Sequence, residues 1–72
     1  MMFSICFDIC GDATGIDIVA DVETLSDAEN IALIECRERV FSDKIMINHT
    51  YDLTYGVFDG LDCIGGVKIR SL

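Results

Sequence analysis

Basic residues are scarce in this chain and absent from its first half. Five Lys and Arg stand against thirteen Asp and Glu, for a formal net charge of −8. All five cations (Arg37, Arg39, Lys44, Lys68, Arg70) follow residue 36, whereas Asp8, Asp12, Asp17, Asp21, Glu23, Asp27, Glu29 and Glu35 precede it. Such a balance repels nucleic acid and attracts basic protein surfaces, so no direct nucleic-acid binding is expected. Other absences exclude other classes. There is no proline, and apolar residues make up 51% of the chain; the low hydrophobicity that disorder requires is missing. No segment approaches the roughly 18 apolar residues of a membrane helix. The amino-terminal apolar run has no basic stretch before it and breaks at Asp8, so no secretion signal is expected. Four cysteines would mark a disulfide scaffold in a secreted protein. Without that signal they read as reduced thiols in a cytoplasmic protein.

Seventy-two residues make one domain, spanning 1–72. A chain of this size buries only about 60% of the surface its unfolded form exposes, so a dimer or a partner could add burial. Residues 3–10 alternate, with Phe3, Ile5, Phe7 and Ile9 on one face, which predicts a half-buried strand. A glycine-bearing turn cluster at residues 11–15 leads to a second alternating run at 16–22, hence a hairpin. The period then changes. Thr24 and Ser26 open overlapping capping signals, and acids crowd the first turn, which predicts a helix over residues 25–39. Leu25, Ala28, Ala32, Leu33, Cys36 and Val40 form its packing stripe, with Ile31 and Ile34 on another side. Strands are expected at 44–49, 53–58 and 67–71, with turns at 41–43, 50–52 and Asp59-Gly60, and a loop or bulged strand start at 61–66. The order β-β-α-β-β-β predicts an α+β domain: a single helix packed on one face of a mainly antiparallel sheet.

Groups that could carry chemistry are few. The one histidine, His49, has no serine or cysteine near it in sequence to form a nucleophile–base pair, so no enzyme is expected. Cys6 and Cys10, four apart on a strand, are separated by about 13 Å, too far to share a zinc or form a disulfide. Cys36 and Cys63 add no Cys-x-x-Cys pair, and the segment 12–17 lacks the alternating oxygens and distal glutamate of a calcium loop. No metal and no cofactor are expected.

One constellation remains. The non-core face of the first hairpin can carry Asp8, Asp17 and Asp21, with Glu23, Asp27 and Glu29 following at the helix start and Glu35 further along it. Carboxylates spread over a rigid scaffold imitate the charges of a nucleic-acid backbone, which the Lys and Arg groove of a partner protein would accept. The plainer alternative is a solvated acidic surface that aids solubility. The pattern of strand, turn, strand, a Thr-Leu-Ser-Asp-Ala-Glu-Asn-Ile-Ala helix opening (residues 24–32) and three short strands resembles small phage anti-CRISPR proteins that act on type I effector complexes. That resemblance implies non-catalytic binding to a Cas effector complex in the host cytoplasm and interference with its recognition of DNA. Asp27, Glu29 and Glu35 depart from the basic helix surface of such relatives, which favours mimicry as the mode of binding. A different class of function is a homodimer or larger homo-oligomer, a structural or regulatory module joined through Ile31 and Ile34 or through a sheet edge.

Overall fold

The computed structural model describes residues 1–9, 16–40 and 42–72. The turn expected at 11–15, Cys10 and Phe41 lie outside the described residues. Among the described residues, five strands and one helix follow the expected order: β1 (Met2–Ile9), β2 (Ile16–Asp21), α1 (Leu25–Val40), β3 (Ile45–Tyr51), β4 (Thr54–Asp59) and β5 (Asp62–Ser71). All strand pairings are antiparallel, and the sheet order is β2-β1-β5-β4-β3. The first and last strands are thus neighbours in its interior, and β2 and β3 are its edges.

The alternation of β1 is realised as read: Phe3, Ile5, Phe7 and Ile9 are buried. They meet Val67 and Ile69 of β5, Tyr55 and Val57 of β4, Ile45 of β3 and Ala20 of β2 in one core under the helix. Burial of each large apolar side chain contributes about 1.5–3 kcal/mol. The helix opens where the capping signal lies, with the Asp27 amide donating to Thr24 Oγ1 at 3.1 Å. It lies against the sheet on Ala28, Ala32 and Cys36, all fully buried. These small side chains at i, i+4, i+8 let helix and sheet come close. The expected stripe needs one correction. Leu25 is 47% exposed, because it starts the first turn beyond the cover of the sheet, while Ile31 joins Leu33 and Val40 at the rim of the core. Arg39 closes the far end, 3.1 Å from Glu35 and 5.5 Å above the Phe7 ring.

Two boundaries also differ from expectation. β3 runs on to Tyr51, and the hairpin turns at Asp52-Leu53 instead, with Asp52 at φ 52°. Asp tolerates this left-handed conformation better than most residues. The turn at Gly60, φ 63°, is where the sequence places it. β5 starts at Asp62, so the segment read as a loop or bulged start is strand with a bulge. Val57 pairs with Gly65 and Phe58 with Cys63, leaving Ile64 as the extra residue. Gly65 makes this possible: a Cβ there would lie 2.3 Å from the Asp8 carbonyl oxygen and 2.6 Å from Ile9 Cα. Only a residue without a side chain lets β1 pass this close.

Candidate protein-docking surface

The helix covers one sheet face, and the other stays open. Strand register orders that open face into lanes. On β2, Asp17, Val19 and Asp21 lie opposite Cys6, Ser4 and Met2 of β1. On the other side of β1, Cys6 and Ser4 lie opposite Lys68 and Arg70 of β5. An acidic lane is therefore separated from a basic lane by a single strand. Asp8 extends the acidic side and is opposite Gly66. Beyond β5, Thr54 pairs with Lys68, and Gly56 pairs with Gly66. The glycine pair leaves a floor without side chains, partly roofed by Phe58, whose ring carbon would stand 2.9 Å from a Cβ on Gly56. A depression of about 290 Å³, lined by Cys6, Asp8, Thr54, Gly66, Val67 and Lys68, occupies this place. A second, of about 230 Å³, continues past Lys68 to Arg70 and the β3–β4 turn.

These lanes show in the thiol between them. Cys6 is pushed above its ordinary pKa by a hydrogen bond to Asp17, then by burial and by the Asp17 charge, while Arg70 and Lys68 pull it down. The thiol is thus held protonated, which suits a hydrogen-bond donor and not a nucleophile. On the helix side, Tyr55 is pushed up to about 12 by burial and by its hydrogen bond to the Glu29 carboxylate and that group's charge. The His49 ring stands edge-on to Tyr55 at 5.1 Å, and its Nε2 donates to the Asp52 carbonyl. Among the described residues no group of three His, Cys, Asp or Glu gathers to hold a metal, and no helix is long and apolar enough to cross a membrane.

The acidic residues expected to act together do not form one patch. Asp8, Asp17 and Asp21 share the open face, and Glu23 and Asp27 follow Asp21 around the β2 edge onto the first helical turn, all exposed. Asp21 also lies 3.5 Å from the Met1 ammonium, in a largely solvated pair of little energetic weight. The rest are engaged elsewhere. Glu29 is half-buried against Tyr55, Ile31 packs on the core, and Glu35 is held by Arg39. Ile34 is 53% exposed on the outer side of the helix. The five cations do not form a face of their own either. Lys68 and Arg70 lie beside the acidic lane, Arg37 and Arg39 end the helix, and Lys44 precedes the far edge strand. Sequence reasoning missed Lys68 and Arg70 as neighbours of the acids. Their alternation with Val67 and Ile69 does mark them as facing away from the core, but it does not reveal which strand β5 joins. Comparison with protein-family models, curated proteins and solved structures finds no match to this chain.

Proposed function

We propose that this chain is a non-catalytic interaction protein that docks its acidic β2 edge into the basic groove of a nucleic-acid-handling protein in the cytoplasm. The supporting observation is one of placement. Asp17, Asp21, Glu23 and Asp27 follow one another along an edge strand and the turn into α1, and none of the five cations lies on β1, β2 or the connection to the helix. An edge is accessible to a concave partner in a way that the middle of the open face, with Lys68 and Arg70, is not. Carboxylates at such an edge compete with phosphates for Lys and Arg, and their binding weakens as salt rises. The resemblance of residues 24–32 to small anti-CRISPR proteins makes a type I effector complex the first partner to try.

The test is competition. A purified type I effector complex is challenged with labelled target DNA, with and without the protein, at low and high salt. Displacement of DNA at low salt is expected, with D17K/D21K weakened roughly tenfold or more by the reversed charges. The variant D43K/D62K changes net charge equally but at positions away from β2, and should retain its effect. Equal loss in both variants, or competition indifferent to salt, overturns the proposal.

A further inference from the structure

The two edges of the sheet are protected very differently. β2 carries Asp17 and Asp21, charges of the kind that keep other strands from pairing with an open edge. β3, Ile45–Tyr51, reads Ile-Met-Ile-Asn-His-Thr-Tyr: it has no Asp, Glu, Lys, Arg, Gly or Pro, in a chain of net charge −8. Its outer backbone groups can be assigned. The Gly60 amide donates to the Lys44 carbonyl at 3.3 Å, so Lys44 is turned toward β4. By the alternation of an antiparallel ladder, Met46 and Asn48 are turned the same way, and Ile45, Ile47 and His49 present N–H and C=O groups outward. The ladder stays regular until the shift between His49 and Tyr51.

We infer that residues 45–49 of β3 are the docking edge for a second copy of this chain, paired antiparallel about a two-fold axis at Ile47. In that register Ile45 lies opposite the second copy's His49, Met46 opposite its Asn48, and Ile47 opposite itself, so every outward backbone group in the segment gains a partner. The charge pattern admits this occupant despite the net charge of −8. No like charges face each other along the segment, and each Lys44 lies opposite the second copy's Thr50, next to the turn that carries Asp52. Met46, 57% exposed, would gain cover. The sheet order places β2 at the opposite edge, so in the ten-stranded sheet the two acidic edges stand nine strand spacings apart, about 43 Å at ~4.8 Å each. At that separation salt screens their repulsion. The dimer offers both acidic edges outward, whatever their partner proves to be.

Light scattering on the intact protein over a dilution series tests this. A concentration-dependent dimer is expected, with amide protection at Ile45, Ile47 and His49 that falls on dilution. M46D/N48D puts like charges directly opposite each other at two cross-strand sites, and should weaken the dimer roughly tenfold or more; M46K/N48K should do the same. Mixing the two variants should restore dimers, since each Lys then meets an Asp. Both positions are exposed, and circular dichroism separates loss of pairing from loss of fold. A monomer at every concentration overturns the inference, as does a dimer that survives M46D/N48D or one that I34D alone dissociates. Because D17K/D21K leaves β3 untouched, dimerisation and acidic docking can fail independently.

Discussion

On the helix side of the sheet, Ile5, Phe7, Val67 and Ile69 are shut off from water; on the other side, Cys6 and Lys68, which alternate with them along the same strands, face a shallow open depression. The backbone is shared, so the difference comes from what covers each face. α1 seals one side with Ala28, Ala32 and Cys36, and there every lost methylene leaves a void. The open side has neighbours only within its own plane, so its residues can change with small effect on the fold. Stability is concentrated on one surface, and the other is free to vary.

Mutations can break this contrast or sharpen it. Phe7→Ala should have the largest effect, a loss of about 3–5 kcal/mol in urea unfolding, because it empties the core and removes the ring beneath Arg39; Ser4→Ala and Asn48→Ala on the open side should stay within about 0.5 kcal/mol. If Ser4→Ala approached the cost of Phe7→Ala, the two-sided division would be wrong. Gly65→Ala should cost about 2–3 kcal/mol, since the new Cβ collides with main chain of β1 that cannot swing aside as a side chain would; thermal unfolding measures it. Alkaline pH tests the helix side through Tyr55. The folded pKa of Tyr55, about 12, is above its ordinary value of 10, so the stability it contributes is intact below pH 10 and lost as pH rises through 12. Glu29→Gln should lower that pKa, and absorbance titration of the phenol would reveal the change. Thr24→Ala should cost about 1 kcal/mol through the lost helix cap, read from chemical unfolding. The smallest effect on stability belongs to Asp17→Asn, yet this change should lower the Cys6 pKa and speed thiol alkylation at mildly alkaline pH. An unchanged rate would mean that Asp17 does not hold the thiol.

The sequence made the helix side far more legible than the open side. Period-two alternation in β1, the cap at Thr24 and the Gly60 turn are local signals, and each led to the element found. Register across strands is not local. The placement of Lys68 and Arg70 beside the acids depends on β5 inserting between β1 and β4, a pairing of residues more than sixty positions apart along the chain at its extreme, Phe3 with Ser71. The bulge at Ile64 was half-visible, because paired glycines signal broken pairing but not which neighbour comes close. Glu29 and Glu35 looked like surface acids, and only the positions of Tyr55 and Arg39 show them to be engaged.

The insertion of β5 also sets the order in which the molecule can assemble. β1 with β2, and β3 with β4, are separate hairpins that share no ladder; the last strand joins both at once. Until residues 62–71 emerge from the ribosome, each hairpin exposes an apolar face and an unpaired inner edge. Completion is therefore a late, long-range closure, of the kind that folds slowly and leaves a nascent chain exposed to chaperones and proteases.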